Sequence, residues 1–495
     1  MSRFARSRWL GPTVLCCALA VLLAGALVRR HSADAGNEGA RQPESSTGSS
    51  MSGRPTDASQ GTAANVASYG AVPDDGRDDA ASIDRALAAA KTVTFPPGRY
   101  DIRARSVQPR SGQRLIFQPG AVLAAAPFIP NADPSKIDHG IRGSHNRAAM
   151  EIVGVHDVDI ENVGIYGWGD VQRNGQLMGI NVLGHSRRIT IRGGHVRDVS
   201  GDGRGRAMGD GVYIGTTDTL RRTDPSVPQD VRIMDLLVEN SDRQGVAAVE
   251  VRGLTIIGST FRNNRSAGVD VEPNFARGIN EDVVVADSTF DDNGLGVNVS
   301  DFAKRTRILR NNLSITGKDP RADNISTLGQ GTEIRGNQIR RGHHCVFVAG
   351  LAGQDGFGVG GAAGSLVADN DMAGCQVGVR VSARNVSVTN NTIASMSDQG
   401  VILDGSLPTE RARGSTVTGN RLRDCSRPGI EFSVAILAAD ALDAKITNNI
   451  VTDSRGVNAA DFGIQLHGLV EERSTHVVRD NRVQGAVKAD LVITP

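Results

Sequence analysis

The chain has 495 residues, of which 59 are glycine, and its formal net charge at pH 7 is +1. Aromatic residues make up only 4% of the sequence. This length is sufficient for a large hydrophobic core. The balanced charge excludes the strongly basic surface that is typical of nucleic-acid-binding proteins, so we expect no nucleic acid among the partners.

The first 64 residues hold two segments that we expect to lie outside the folded domain. Within residues 1–35, basic residues followed by the apolar run Trp9–Val28 predict an export signal. The length of this run leaves an uncleaved membrane anchor as the alternative. Residues 36–64 are rich in Ser, Gly and Thr, which is typical of a disordered linker. Both interpretations place the folded domain, residues 65–495, outside the cytoplasm as a secreted, periplasmic or membrane-anchored protein.

Residues 65–100 form an opening module with one predicted helix. The pattern over Ser82–Ala90 predicts this helix, with Ser82 as its N-cap and with Ile83 and Leu87 on an apolar face. Such a helix would cover the first coil of a solenoid, whose core would otherwise be exposed. Short strands and a Pro-Pro-Gly turn follow it.

The motifs of this module resemble the start of a known superfamily. Tyr69-Gly70-Ala71, Asp74-Asp75-Gly76 and Phe95-Pro96-Pro97-Gly98-Arg99-Tyr100 resemble the opening of the pectate-lyase-like proteins. The resemblance implies an all-β fold, the single-stranded right-handed parallel β-helix known as the pectin lyase fold. It also implies carbohydrate as the substrate class, because members are mostly polysaccharide lyases, glycoside hydrolases, uronan epimerases and phage tailspikes.

A repeated phrase built around one asparagine runs through the second half of the chain. The phrase recurs about every 20 to 35 residues, a period that indicates a solenoid. One asparagine per coil at one bend predicts an internal ladder of stacked side chains. The asparagines assigned to this ladder are Asn312, Asn337, Asn370, Asn391, Asn420, Asn449 and Asn481.

A second repeated phrase, Gly followed by a branched apolar residue, sets the register of the coils. Because side chains alternate along a strand, the residue after Gly and the one two positions later should enter the core, and the residue between them should face solvent. The phrase starts at Gly179, Gly211, Gly245, Gly268, Gly296, Gly378, Gly400, Gly429 and Gly463.

This register predicts a cluster of charged residues on one face of the solenoid. Asp270 and Glu272 should face outward from one strand, while Asp210 and Arg243 lie at the starts of strands in the two preceding coils. Paired carboxylates suit acid/base cleavage of a glycosidic bond. In a lyase the same groups, with calcium if a metal is used, would neutralise a uronate, and Arg243 or Tyr213 would take the proton.

Several further residues are candidates for substrate binding. Tyr213 and Asn298 occupy the position of Asp270 in other coils, and Trp168 suits stacking against a sugar ring. A structural role is the alternative for each of them. Additional candidates are Asp202, the insertion between Thr216 and Gln229 as a wall of the groove, and the pair His343-His344, for which a packed turn pair is the alternative to metal or substrate binding.

The cysteines and histidines indicate neither a disulfide framework nor a metal site. Cys345, Cys375 and Cys425 do not occupy equivalent places in adjacent coils, so we expect buried free thiols. No Cys or His spacing is typical of a bound metal.

The sequence therefore predicts an exported β-helix enzyme that cleaves a polysaccharide by hydrolysis or β-elimination. The first alternative is a non-catalytic solenoid that binds polysaccharide or mediates adhesion, and the second is a uronan epimerase.

Overall fold

A computed structural model describes residues 61–125, 147–168, 177–201, 208–216, 226–273, 279–316, 321–350, 361–405, 412–468 and 475–494. Within these ranges nearly all regular structure is β-strand. The strands form two sheets, and neighbouring strands within each sheet are parallel. The described part contains one α-helix, α1 (Ala80–Ala89), and two 3-10 helices, Val66–Tyr69 and Gly456–Asn458. None of the described helices is long and apolar enough to span a membrane.

The strands up to residue 309 are β1 (Gly61–Asn65), β2 (Ala90–Phe95), β3 (Gly98–Ile102), β4 (Arg114–Phe117), β5 (Ala121–Ala125), β6 (Arg147–Val153), β7 (His156–Tyr166), β8 (Leu177–Leu183), β9 (Arg187–Arg197), β10 (Val212–Gly215), β11 (Gln229–Met234), β12 (Leu237–Glu239), β13 (Val246–Ala248), β14 (Val251–Ile257), β15 (Thr260–Arg262), β16 (Ala267–Val271), β17 (Asn280–Ala286), β18 (Thr289–Asp291), β19 (Leu295–Val299) and β20 (Arg307–Leu309). The later strands are β21 (Asn312–Ser314), β22 (Ile325–Thr327), β23 (Glu333–Arg335), β24 (Gln338–Arg340), β25 (His344–Val348), β26 (Leu366–Ala368), β27 (Asp371–Ala373), β28 (Val377–Val381), β29 (Ser387–Thr389), β30 (Thr392–Ala394), β31 (Val401–Asp404), β32 (Thr416–Thr418), β33 (Arg421–Arg423), β34 (Val434–Ala439), β35 (Lys445–Thr447), β36 (Ile450–Thr452), β37 (Phe462–His467), β38 (Val477–Arg479), β39 (Arg482–Gln484) and β40 (Ala489–Thr494).

Each full coil contributes three strands, which stack on three faces. Face 1 is a 13-stranded sheet that runs without interruption from β6 through β8, β10, β13 and β16 to β40. Faces 2 and 3 are two parallel stacks within a 27-stranded sheet, and they contain for example β11, β14 and β17, and β12, β15 and β18. This repeated arrangement confirms the predicted single-stranded parallel β-helix with all-β architecture.

Alternation along the face 1 strands fills the core as predicted. Val212 and Ile214 of β10 are fully buried, and so are Val269 and Val271 of β16. One of the nine glycine phrases is out of register. Gly429 lies in a turn, and Ile436 of β34 pairs with Val401 instead, because this coil has additional residues before its face 1 strand.

The asparagine ladder lies at the bend between faces 2 and 3. The backbone N–H and the side-chain Nδ2 of Asn391 both donate to Oδ1 of Asn420, each at 2.9 Å, and Asn420 donates to Asn449 in the same way at 3.0 Å. These rungs therefore pair buried backbone and amide groups that water cannot reach. The predicted stacking of these three residues at one bend is confirmed.

The assignment of Asn312 to this ladder is wrong by one residue. Asn311 is the buried rung and donates to Asn337 Oδ1 at 3.1 Å, whereas Asn312 is an exposed residue of β21. The left-handed backbone position is also not the ladder residue but its predecessor, such as Arg310 with φ 52° or Asn390 with φ 55°. The rung keeps its amide inside because the preceding residue makes the bend.

The helix α1 buries Ile83, Ala86 and Leu87 against the start of the solenoid. The predicted N-cap is wrong, because the helix is preceded by Asp79 and Ser82 is buried within it. The strand β1 lies in parallel register with β2, from Gly61 opposite Ala90 to Asn65 opposite Thr94. Regular structure therefore begins four residues inside the segment assigned to the linker.

Cys345 and Cys375 form a disulfide with a Cα–Cα distance of 5.7 Å, so the prediction of free thiols is wrong for this pair. Their separation of 30 residues is close to one coil, which brings β25 and the bend before β28 together in adjacent turns. The strand assignment alone hid this proximity because Cys375 lies in a bend and Cys345 in a strand. Cys425 is free and buried, as predicted.

Candidate active site

Three successive coils bring the predicted charged residues together on face 1. The strands β10, β13 and β16 are neighbours, with Tyr213 opposite Ala247 and Ala247 opposite Asp270. Asp210 immediately precedes the Gly211 that leads into β10, and Arg243 precedes β13. The repeated phrase therefore places both residues close to β16, as the register predicts.

Arg243 is the centre of the cluster. Its Nη2 donates to Glu272 Oε1 and Oε2 at 2.7 and 3.0 Å, and its Nη1 donates to Asp210 Oδ2 at 3.1 Å. The side chain of Arg243 is 20% exposed and that of Glu272 is 19% exposed, whereas Asp210 is completely buried. Breaking such a buried pair would leave an uncompensated charge inside the protein.

Two amides connect Asp270 to the same cluster. Gln244 Nε2 donates to Asp270 Oδ2 at 2.8 Å and lies 3.5 Å from Glu272 Oε1, while Asn298 Nδ2 donates to Asp270 Oδ1 at 2.8 Å. The backbone N–H of Gln244 also donates to Asp210 Oδ1 at 3.0 Å. Sequence reasoning did not assign a role to Gln244. The available signal was its place directly before Gly245, which corresponds to that of Asp210 before Gly211.

The cluster contains three carboxylates but only one guanidinium. Because the carboxylates are buried and repel one another, their protonated forms are favoured. Burial raises the pKa of Glu272 to about 8 against the lowering effect of Arg243, and the charges of Asp270 and Asp210 add to the increase. Burial also raises the pKa of Asp270 and of Asp210. Burial lowers the pKa of Arg243, but the charges of Glu272 and Asp210 outweigh this effect and keep it protonated.

The outward-facing residues of these coils are less exposed than alternation predicts. Asp270 and Tyr213 are each only 7% exposed and Ala247 is fully buried, so the prediction that they face solvent is wrong. The physical reason is a second apolar cluster on this part of the structure. It consists of Ala148, Met178, Leu183, Met208, Tyr213, Ala247 and Val249. Alternation distinguishes inward from outward positions, but it does not reveal what covers the outward ones.

The predicted binding residues have different environments. Asn298 is half-buried and belongs to the charged cluster through Asp270. Trp168 lies near the end of β7 and the strand β3. Its ring centroid is 6.0 Å from that of Tyr166 and 4.5 Å from the guanidinium carbon of Arg99. Among the described contacts of Trp168 none involves the charged cluster, and its binding role stays a prediction.

Further along face 1, a row of residues continues the register position of Asp270. Asp270, Asn298, Ser326, Phe347 and Arg380 share one register position on successive strands. Within this group the guanidinium of Arg380 lies 5.8 Å from the ring centroid of Phe347.

The histidine pair lies beside this row. Phe347 stacks on His344 with a centroid distance of 5.2 Å, and His343 and His344 both contact Asp323. The ligand atoms of Asp323, His343 and His344 lie within 4.8 Å of one another, a spacing that could hold a metal ion. The histidine pair was a candidate from the sequence, but Asp323 was not, because it belongs to the neighbouring coil.

Other parts of the predictions fall outside the described residues. These are the export signal or anchor at 1–35, the linker up to residue 60, Asp202, and residues 217–225 of the insertion, which contain its charged residues.

Comparison with known proteins supports the fold. Residues 309–494 match a family described as "Right handed beta helix region". No curated protein is significantly similar to the sequence.

Three solved structures illustrate the similarity. The N-terminal fragment of bacteriophage phi29 gene product 12 is 12% identical with a TM-score of 0.56, and the match covers 81% of this chain and 68% of that chain. The A-module of the Azotobacter vinelandii mannuronan C-5 epimerase AlgE4 is 17% identical with a TM-score of 0.43, covering 86% and 97%. Geobacillus virus E2 ORF18 is 15% identical with a TM-score of 0.45, covering 67% of this chain but only 57% of the other.

Identities this low show similarity of fold alone. The stacked parallel strands and the match of residues 309–494 to the right-handed β-helix family confirm the architecture that the opening motifs implied: the chain is a right-handed parallel β-helix.

Proposed function

We propose that the protein is an exported carbohydrate-active enzyme that hydrolyses glycosidic bonds of a polysaccharide on the outer surface of face 1. The observation that carries this proposal is the partly exposed Glu272, held by Arg243 among two further carboxylates, with its pKa raised to about 8. A carboxylic acid that keeps its proton at neutral pH is suited to protonate the leaving oxygen of a glycoside.

The second carboxyl group of the proposed reaction is Asp270. It accepts hydrogen bonds from Gln244 and Asn298 on separate oxygens, which orient the group and oppose the rise in its pKa that burial causes. In hydrolysis it would activate the attacking water or stabilise positive charge on the sugar ring. Arg243 positions Glu272, and Asp210 in turn holds Arg243.

The protonation states of Arg243 and Tyr213 favour hydrolysis over β-elimination. Elimination needs a base for the C5 proton, and the two candidates were Arg243 and Tyr213. The charges of Glu272 and Asp210 keep Arg243 protonated, and burial raises the pKa of Tyr213 far above the neutral range. Neither group is therefore suited to accept a proton at neutral pH.

Two further observations support the class of substrate and the location. The motifs of the opening module resemble a superfamily whose members are mostly carbohydrate-active. The disulfide between Cys345 and Cys375 is typical of proteins in oxidising compartments, which supports export of the domain.

The second candidate function is binding of polysaccharide without turnover. The observation that favours it is the complete pairing of Arg243 with Asp210 and Glu272, which also suits a purely structural cluster.

The experiment incubates the full chain with a panel of neutral and uronic polysaccharides. We expect new reducing ends without absorbance of an unsaturated uronate, and a rate that falls as the pH rises through about 8, because Glu272 then loses its proton. Glu272→Gln should lower turnover at least about a hundredfold. Glu333→Gln, which alters an ion-paired glutamate on face 2, is the matched control and should leave turnover unchanged.

Other outcomes contradict the hydrolase proposal and select an alternative. Unsaturated products would mean elimination, and inversion at C5 without chain cleavage would mean epimerisation. Saturable binding without any product would mean a binding solenoid.

A further inference from the structure

The histidine pair and Asp323 converge from two adjacent coils of face 1. His344 is the first residue of β25, and Asp323 lies just before β22, the strand that pairs with β25. His344 Nδ1 lies 2.8 Å from Asp323 Oδ1, and His343 Nδ1 lies 3.2 Å from the same oxygen. All three side chains are largely buried, with 4%, 12% and 7% of His344, His343 and Asp323 exposed.

Three nitrogen atoms converge on one oxygen of Asp323. The backbone N–H of His344 also donates to Asp323 Oδ1, at 3.1 Å. If both Nδ1 atoms carry hydrogen, this one oxygen accepts three hydrogen bonds, and if either does not, that ring turns a lone pair towards the carboxylate. An ion between the rings and the carboxylate would remove both imidazole donors and leave the backbone N–H as the single hydrogen bond to this oxygen.

The distances between the three atoms also suit a metal. Zinc binds imidazole nitrogen and carboxylate oxygen at about 2.0 to 2.2 Å, so ligand atoms around a tetrahedral ion lie roughly 3.3 Å apart. The 3.2 Å from His343 Nδ1 to Asp323 Oδ1 is close to this value, the 2.8 Å from His344 Nδ1 is shorter, and all three atoms lie within 4.8 Å of one another. Small rotations of the side chains would complete the triangle.

The surroundings hold the ligands in place. Phe347 stacks on the ring of His344, and the Cys345–Cys375 disulfide anchors the residue next to His344 to the adjacent coil. A site whose ligands are fixed by packing and by a covalent link loses little conformational freedom when it binds an ion.

We propose that Asp323, His343 and His344 form a binding site for a divalent transition-metal ion of the Zn²⁺ class, with water in the fourth position. Two imidazoles and one carboxylate match the preference of such ions, whereas Ca²⁺ and Mg²⁺ prefer oxygen ligands. The site stands on a different coil from Glu272 and does not depend on the proposed hydrolase activity.

The test uses the full chain, without an affinity tag, after removal of metals by a chelator. Titration with Co²⁺ should produce the visible absorption of tetrahedral cobalt with one ion per chain, and Zn²⁺ should displace it. His343→Gln and Asp323→Asn should each weaken binding at least about tenfold, because each removes a ligand. His156→Gln is the matched control, since His156 also pairs with an aspartate, at 2.8 Å, but has no second imidazole in that pair.

Thermal unfolding provides a second measurement that is independent of colour. Zn²⁺ should raise the melting temperature of the wild type and of His156→Gln, but not that of the two ligand variants. Absence of stoichiometric Co²⁺ or Zn²⁺ binding to the wild type would overturn the proposal, whatever the variants do. Undiminished binding to folded ligand variants, or a preference for Ca²⁺ over Zn²⁺, would overturn it as well.

Discussion

Asn311 and Asn312 are adjacent in the sequence but lie in different environments. Asn311 accepts a hydrogen bond from the backbone of Ser288 and donates to Val285 and Asn337, whereas Asn312 is exposed. We expect Asn311→Ala to lower the free energy of unfolding by about 2 to 4 kcal/mol, because buried groups in the adjacent coils lose their partners. Asn312→Ala should change it by less than about 0.5 kcal/mol. Denaturant unfolding of both variants tests this, and equal effects would contradict the corrected register.

Glu272 should make the stability of the fold depend on pH. Its ordinary pKa is 4.5 and its pKa in the folded chain is raised to about 8. Between these values the folded chain holds a proton that the unfolded chain has released, so the free energy of unfolding should fall as the pH rises through this window. The stabilisation of the folded chain by the protonated Glu272 is present in full below about pH 4.5 and is lost above about pH 8.

Unfolding measured between pH 5 and pH 8 checks this sign. Glu272→Gln cannot titrate and should show a flatter dependence than the wild type, while Glu333→Gln should retain the wild-type slope. Identical slopes in all three proteins would show that Glu272 is ionised throughout this range.

At the scale of elements, α1 covers the first coils with an apolar face. Ile83 is fully buried there, and a carboxylate at this position would be buried without a partner. We expect Ile83→Asp to lower the melting temperature strongly or to cause aggregation. Ala81→Asp is the control, because Ala81 is exposed in the first turn of the same helix, where an acidic residue is tolerated. A melting temperature equal to that of the control would contradict a capping role.

The sequence predicts the succession of coils correctly but misplaces some of the residues within them. The repeated Asn and Gly phrases are local and periodic, so they reveal the coil and place Asp210, Arg243 and Asp270 together. They mislead where one coil differs from the next, as at Gly429, or where two neighbours compete for a position, as at Asn311 and Asn312. A short phrase cannot decide such cases, because the choice depends on which residue the adjacent coil contacts.

Local patterns could not predict two further features for the same reason. These are the burial of the outer surface of face 1 and the pairing of Cys345 with Cys375. Both depend on contacts between residues that are distant along the chain. Alternation assigned Asp270 and Tyr213 to the outer side, which is correct, but the surrounding apolar cluster follows only from the three-dimensional arrangement. The convergence of His343 and His344 on Asp323 is a further contact between coils that no spacing within one coil could indicate.

At the scale of the whole molecule, each coil contacts mainly its two neighbours, so the stability of the fold is distributed along its axis. The disulfide links adjacent coils across 30 residues. We expect the double variant Cys345→Ala, Cys375→Ala to lose about 3 to 4 kcal/mol of stability, the range for a closed loop of this size. Chemical unfolding with and without reductant measures it.

Cys425→Ala is the control for the disulfide variant, because Cys425 is a buried free thiol. This control should keep the sensitivity to reductant of the wild type, and the double variant should lose it. A wild type that is indifferent to reductant would contradict a stabilising role of the disulfide.

The asparagine ladder also has a consequence for how such a protein can change in length. Asn420 and Asn449 are equivalent rungs separated by 29 residues, and each follows a residue in the left-handed conformation, Gly419 and Asn448. Removal of residues 420–448 would join Gly419 directly to Asn449 and reproduce the same bend, and duplication of this segment would do so as well. Gene rearrangements that cut at equivalent rungs therefore insert or delete whole turns of the solenoid, and its axis can lengthen or shorten in unit steps while the interfaces between turns are preserved.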